Sequence, residues 1–324
     1  MTAISITRAG GPEVLQPVIR PMPQPKAGEV LIKVAYAGVN RRDCEQRSKF
    51  APFETTDVPG LEVAGEVVAT GAGVSRWKLG ELVCALVNGG GYAQYCIAAE
   101  QVTLPIPEAF DLRMAAALPE VLFTAWLSVF MVGDLKPGEW LLVHGGSGGV
   151  GMMAIQLARL LGAKVVATAG SVDKCDACVE LGATIAINYR EQDFVSGVLR
   201  ATEECGADVI LDMVGAAYAK RNLAALAIDG RLVHISRADT APFCASIDDI
   251  MSKRARVTGC RLRISPLSLK AEIVRQVKER VWRYLGTRVT VIIDSVTPLA
   301  QASVAHLRME SSAHIGKIIL EVSH

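Results

Sequence analysis

Residues 144–151 read "HGGSGGVG", and their types and spacing suit one kind of chemistry, the binding of an anion. Gly146, Gly148 and Gly151 stand at G-x-G-x-x-G spacing. The apolar run "EWLLV" precedes them and the helical pattern "MMAIQLARLLG" follows. A strand, a glycine loop and a helix in this order form a pyrophosphate cradle. The first glycine allows the tight turn, the second lets the backbone approach the ligand, and the third lets helix and strand pack. The helix start adds free N–H groups and a positive dipole end.

The next strand indicates which dinucleotide would fit. An NAD site carries an Asp or Glu at the end of its second strand, where it binds the ribose hydroxyls. Here that strand reads "KVVATAGSVDK", and the acid position falls at Ala169 or Gly170. A carboxylate there would repel a 2′-phosphate, and none is present. Ser171 can donate a hydrogen bond, Lys174 supplies positive charge one turn into the next helix, and Tyr189 and Arg190 stand at the end of the third strand. The pattern predicts NADPH rather than NADH.

The elements that would hold these residues alternate. From about residue 120, short apolar strands ("WLLVH", "KVVATA", "IAIN", "DVILDMVG", "RLVHIS", "RVTGCRL") are separated by helical patterns. One helix face is expected to carry Val150, Ala154, Leu157 and Leu161, and another helix is expected over "YAKRNLAALAI". This alternation predicts an α/β fold with a doubly wound parallel sheet of six strands. Val214, Ile235 and Ser236 end its fourth and fifth strands, where such a fold lines its cofactor crevice. Residues 1–118 instead hold short strands between Gly- and Pro-rich turns, and "TVIIDSVTP" and "GKIILEV" resume that texture after a long helix, "KAEIVRQVKERVWRYL". The expected organisation is a β-rich domain of residues 1–119 and 265–324 with a nucleotide-binding domain, 120–264, inserted, and a cleft where they meet.

Composition narrows the function classes. The 324 residues are 51% hydrophobic and 21% charged, with a formal charge of +1. A large core is affordable, and a general electrostatic grip on nucleic acid or an acidic membrane is not expected. No leader pattern or spanning stretch is visible, and the eight cysteines are scattered, which predicts a soluble cytoplasmic protein with reduced thiols. Cys175 and Cys178 have C-x-x-C spacing but no second ligand pair, so they read as helix residues. His144 and His234 read as packed strand residues, since no base–nucleophile pattern accompanies them.

The phrases "AGVNRRD", "VPGLEVAGEVVATGAGV", "GGGYAQY", "LPEVLFTAW", "HGGSGGVGMMAIQLA" and "HIGKIIL" together resemble the medium-chain dehydrogenase/reductase superfamily. Within it the chain is similar to the zinc-independent, NADPH-dependent quinone oxidoreductases, in particular the p53-inducible quinone oxidoreductase-like branch. The resemblance implies a GroES-like β-barrel domain beside a Rossmann domain. It implies that Asn40 and Thr124 lie near the nicotinamide and that Gly148, Gly149 and Val150 touch the pyrophosphate. It also implies that Gly170, Ser171, Lys174 and Tyr189 form the adenosine-phosphate pocket. Phe50 falls near a position where relatives carry a tyrosine over the cleft. Zinc alcohol dehydrogenases of the superfamily have Cys and His where this chain has Asn40 and Leu61, so no metal is expected.

Without a Lewis acid, the expected reaction is hydride delivery from NADPH to a quinone, which delocalises the charge it receives. Asn40, Phe50 and Thr124 are the candidate catalytic residues. Reduction of an enone or 2-alkenal double bond, or a non-catalytic NADPH-binding role, are the alternatives. The last sheet strand presents an edge that needs covering, and the resemblance agrees with a homodimer.

Overall fold

A computed structural model describes residues 1–49, 56–237 and 241–324, and Phe50 lies outside them. The chain forms two compact units, Met1–Val121 with Pro266–His324, and Leu122–Ser265.

The first unit opens with β1 (Thr2–Ile6), which pairs antiparallel with β2 (Leu15–Ile19). β3 (Glu29–Val39) is the longest strand and bonds on both sides along its length. After it come α1 (Arg41–Lys49), β4 (Glu62–Thr70), β5 (Leu82–Leu86), β6 (Tyr95–Ala99) and β7 (Thr103–Pro105). The β3–β4 register shifts at Leu31/Ile32 and again at Val34/Tyr36. Such bulges bend and twist a long strand, which lets the sheet curl. Gly65 in β4 faces the second shift. A Cβ there would stand 2.0 Å from the Lys33 carbonyl oxygen, so only glycine admits this approach.

Two short helices, α2 (Leu112–Ala116) and α3 (Pro119–Ala125), lead toward the second unit. α3 runs on into a π-helix, Trp126–Val132. The sheet strands of the second unit are β8 (Trp140–Val143), β9 (Lys164–Ala169), β10 (Ile185–Asn188), β11 (Ala207–Asp212), β12 (Leu226–His234) and β13 (Arg256–Gly259). They lie in the order β10-β9-β8-β11-β12-β13, with every neighbouring pair parallel. The order reverses at β8, which makes its carboxyl end the topological switch point. Leu142, Val166, Ile187, Ile210 and Leu232 from successive strands share one core cluster with Phe194 and Val198.

Between the strands lie α4 (Gly149–Leu160), α5 (Val172–Glu180), α6 (Phe194–Ala201), α7 (Ala219–Ala225) and α8 (Ile247–Lys253). Two local expectations need correction. α4 is buried at every position from Gly151 to Ala158, while Val150 and Leu161 are only half-buried, so it does not present a single apolar stripe. The helix in "YAKRNLAALAI" stops at Ala225, because Leu226 pairs with Ala207 and starts β12. Gly206 permits that pairing, since a Cβ on it would come within 2.7 Å of the Leu226–Ala227 peptide.

The chain then returns to the first unit through α9 (Leu267–Arg280), β14 (Ile293–Pro298), α10 (Ala302–Glu310) and β15 (Lys317–Glu321). α9 buries Lys270, Ile273, Val274 and Val277, the spacing of one helical face. β15 pairs antiparallel with β3, placing Ile318 opposite Val39. This completes a sheet of order β14-β15-β3-β4-β5-β7, with β6 also on β3.

The crowding at Gly65 gives a test of this curled sheet. Gly65→Ala is expected to destabilise the protein by about 1–3 kcal/mol, the range for overpacking a core position. Denaturant unfolding would read it as a lower midpoint with an unchanged slope.

Candidate active site

The glycine loop leaves β8 at the switch point. Its left-handed residue is Gly145 (φ +64°), not Gly146 as the spacing suggests. Gly146 serves close packing instead: a Cβ there would lie 2.8 Å from Cys178 Sγ and 2.9 Å from Ala167 Cβ. Its N–H donates to the Thr168 carbonyl at 2.9 Å, which fastens the loop to β9. A Cβ on Gly151 would strike the Gly145 carbonyl oxygen at 2.3 Å, so helix and loop touch backbone to backbone. Gly148, the N-cap of α4, has only the Gly145 carbonyl oxygen within 4 Å of its Cβ direction, at 3.5 Å. That open side is where a ligand can approach the first N–H groups of the helix, among them those of Gly149 and Val150.

His144 roots the loop. It is fully buried, with Nδ1 3.0 Å from Thr168 Oγ1 and Nε2 2.8 Å from Asn222 Oδ1. Phe194 and Tyr218 meet its ring edge-on. Burial pushes its pKa below the ordinary value.

At the ends of β9 and β10 the structure brings the adenosine-side candidates together. Gly170 follows β9, and a Cβ on it would lie 2.8 Å from the Tyr189 hydroxyl and 3.4 Å from Arg190 Nε. The Tyr189 N–H donates to the Ala169 carbonyl at 3.1 Å, which hangs this turn over the strand end. Ser171 is the N-cap of α5, yet its side chain makes no capping hydrogen bond. Lys174 is half-buried one turn into that helix. Cys175 and Cys178 lie on the buried face of the same helix, and burial raises both thiols, Cys178 to about 12.

Sequence reasoning missed Asp212, which organises the other half of the sheet edge. It is fully buried at the end of β11. Its carboxylate accepts the Val214 N–H at 2.7 Å and the Gly215 N–H at 3.1 Å, and its carbonyl accepts the Ile235 N–H at 2.9 Å. His234 Nδ1 lies 2.9 Å from Oδ2, so this histidine is paired with a carboxylate and is not a plain packed strand residue. Val214 and Ile235 thus take their positions from one aspartate, while Ser236 is exposed beyond them. An acid closing an otherwise apolar strand, "VILD", was the available signal.

Thr124 belongs to the second unit and is half-exposed in α3, where its neighbours are buried. Its carbonyl accepts the Ser128 hydroxyl at 2.6 Å, at the junction with the π-helix, a form common at functional sites.

Asn40 belongs to the first unit, between β3 and α1, and is buried. Its Nδ2 donates to Glu62 Oε1 at 3.0 Å and its Oδ1 accepts from Lys317 Nζ at 2.6 Å. Lys317 also donates to Glu62 Oε1 at 2.6 Å and to the Val39 carbonyl at 3.1 Å. Each end of the Asn40 amide is therefore committed once, which leaves one N–H and one lone pair. Glu62 and Lys317 were not singled out from the sequence. Charged residues inside the apolar runs "LEVAGEVV" and "GKIIL" were the signal.

Behind Asn40 lies a second buried chain. Asp43 accepts the Asn40 N–H at 2.8 Å, the Gly60 N–H at 3.2 Å and the Tyr92 hydroxyl at 3.1 Å. The Tyr92 oxygen lies 3.2 Å from His306 Nε2. Burial raises Asp43 to about 6 against the lowering effect of its donors, and burial with the nearby Arg47 charge lowers His306 to about 3.

Two family models match the chain: an alcohol dehydrogenase GroES-like domain over residues 26–108 and a zinc-binding dehydrogenase over residues 149–278. A rat quinone oxidoreductase is 34% identical over 99% of this chain and 97% of its own. Two solved structures superpose on it end to end. An NAD-dependent alcohol dehydrogenase gives a TM-score of 0.88 at 28% identity, covering 100% of both chains. The Escherichia coli quinone oxidoreductase complexed with NADPH gives 0.88 at 28% identity, covering 99% of this chain and 100% of that one. A curled β unit paired with a doubly wound parallel unit defines an oxidoreductase of the medium-chain dehydrogenase/reductase class. Within that class, this chain belongs to the quinone oxidoreductase family.

Asp43 gives the site a pH signature. Its folded value of about 6 lies above the ordinary 3.8, so folding favours the protonated form. That contribution is full below pH 3.8 and is lost as the pH rises through 6, by up to about 3 kcal/mol. The unfolding free energy of the wild type minus that of Asp43→Asn is expected to fall by this order between pH 4 and pH 7. A difference that stays flat would contradict the assignment.

Proposed function

We propose that this protein is an NADPH-dependent quinone reductase that works without a metal. The carrying observation is the end of β9, where the Tyr189 hydroxyl and Arg190 close over Gly170 and no carboxylate occupies the ribose position. Arg190, Lys174 and the uncapped Ser171 hydroxyl suit a 2′-phosphate, which an acid there would repel. The NADPH complex of the E. coli quinone oxidoreductase supports the same cofactor. In this reading Leu122–Ser265 is the cofactor domain and the other unit is the GroES-like catalytic domain.

The first unit supplies the argument about the metal. Where the zinc-dependent members place a cysteine, Asn40 shares its amide with Glu62 and the Lys317 ammonium. A cation already occupies this polar nest, and a divalent ion beside it would meet its charge. Among the described residues, no three His, Cys, Asp or Glu side chains stand close enough to share a metal. NADPH supplies the hydride, and a quinone accepts it with delocalisation of charge, so no Lewis acid is required. The glycine loop holds the pyrophosphate, and the Asp212-ordered turns shape the far half of the crevice.

β13 exposes all four of its residues at the edge of the sheet. An open edge of this kind favours pairing with a second copy, and we read the protein as a homodimer joined there. Among the described residues no helix is long and apolar enough to cross a membrane. The eight free thiols suit a reducing cytoplasm.

NADPH oxidation with ortho- and para-quinones is the direct test, with 2-alkenals run beside them and zinc content measured on the same sample. Lys174→Ala and Arg190→Ala are each expected to raise KM for NADPH about 5- to 20-fold, the worth of one charge-assisted hydrogen bond, and to leave KM for NADH unchanged. Equal wild-type use of NADH and NADPH would overturn the cofactor assignment. Light scattering is expected to return the mass of two chains, and a monomer mass at assay concentration would rule out the β13 pairing.

A further inference from the structure

His234 closes β12 directly beside Asp212, its registered partner on β11. The imidazole is fixed on several sides. Nδ1 lies 2.9 Å from Asp212 Oδ2, and the Phe243 ring meets its plane at 77° with centroids 5.3 Å apart. Its backbone carbonyl accepts the Cys260 N–H at 3.0 Å. The Asp212 carboxylate already accepts two backbone N–H groups, so it acts as an acceptor toward Nδ1–H. A neutral imidazole with its proton on Nδ1 carries a lone pair on Nε2. That nitrogen is buried and has no hydrogen-bond partner among the described residues. A buried polar atom without a partner costs stability, and a pre-oriented one at a strand end is suited to a donor brought by a ligand.

The position says which part of a ligand. β12 lies two strands from β8, about 10 Å across the sheet edge at ordinary strand spacing. Between them Met213, next to Asp212, packs on the glycine turn: a Cβ on Gly145 would lie 2.7 Å from its Sδ. The glycine loop marks the pyrophosphate, and β9 and β10 carry the adenosine-side residues. In a doubly wound sheet the second nucleotide half lies over the strands on the other side of the switch point. Those strands are β11 and β12.

We propose that His234 Nε2, oriented by Asp212, accepts a hydrogen bond from an N–H or O–H donor of the nicotinamide riboside half of the dinucleotide. This rests on the NADPH reading above. It adds a binding residue for the half of the cofactor that carries the hydride, where the pattern of glycines and basic residues accounts only for the other half. A lone-pair acceptor recognises the carboxamide NH2 or a ribose hydroxyl.

Two ligands separate the halves. NADPH carries both, and adenosine 2′,5′-bisphosphate carries only the adenosine side. His234→Ala is expected to weaken NADPH binding about 5- to 10-fold in a calorimetric titration and to leave the bisphosphate unchanged. His234→Gln, whose amide oxygen can stand near the Nε2 position, is expected to recover part of the loss. A loss for both ligands would mean a structural role, and no loss for either would mean an idle nitrogen; each overturns the proposal. Failure of the wild type to bind either ligand would bring down the NADPH reading, and this inference with it. The reduced 3-acetylpyridine analogue of NADP, which lacks the NH2, identifies the donor. If wild type and His234→Ala bind it equally, the donor is the carboxamide; if the difference persists, it is a ribose hydroxyl. Either result supports the proposal.

Discussion

One buried ammonium ties the two ends of the chain together. Lys317 on β15 reaches Glu62 on β4, Asn40 after β3 and the carbonyl of Val39, and it is itself almost wholly shielded from water. Such a pair adds little net stability, because both charges give up hydration. Its effect is on specificity. Only the register that sets Ile318 opposite Val39 delivers the ammonium to its three acceptors, and a slipped β15 would leave Glu62 in the core without its cation. The same contacts fix which way the Asn40 amide faces. The geometry of the first unit's candidate residue is thus set by a strand that arrives at the far end of the sequence.

Much of the second unit was legible because its signals are local. The strand–loop–helix rhythm, the glycine loop and the missing acid at Ala169–Gly170 each lie within about thirty residues, the length of one βαβ unit. The misreadings were also local, and they arose where tertiary pairing overrode helix periodicity. Ala225 ends its helix because Leu226 bonds to β11, and the turn fell to Gly145 because Gly146 is pressed against Cys178. The least legible parts join residues far apart in sequence. Glu62 and Lys317 are 255 positions apart, and Tyr92 and His306 are 214 apart. No spacing rule connects residues that meet only through the fold. His234 reads as an ordinary end to an apolar strand until Asp212 is placed beside it.

The placement of carboxylates divides the sheet edge of the second unit into two chemistries. On the β9–β10 side no acid occupies the strand end, and a phenol, a guanidinium and a serine gather there. On the β11–β12 side a fully buried aspartate takes up backbone N–H groups and an imidazole. The first arrangement favours added negative charge, and the second spends its negative charge on protein donors and leaves His234 Nε2 unpartnered among the described residues.

The split make-up of the first unit also bears on how the protein is made. Its sheet needs β14 and β15, which leave the ribosome only after the whole of Leu122–Ser265 has been synthesised. The inserted unit is contiguous and can fold as soon as its last strand emerges, whereas the Tyr36–Val39 end of β3 must wait for β15. Pairings this distant in sequence are slow to close. During translation the first unit is the exposed, aggregation-prone partner, and β15 acts as its latch.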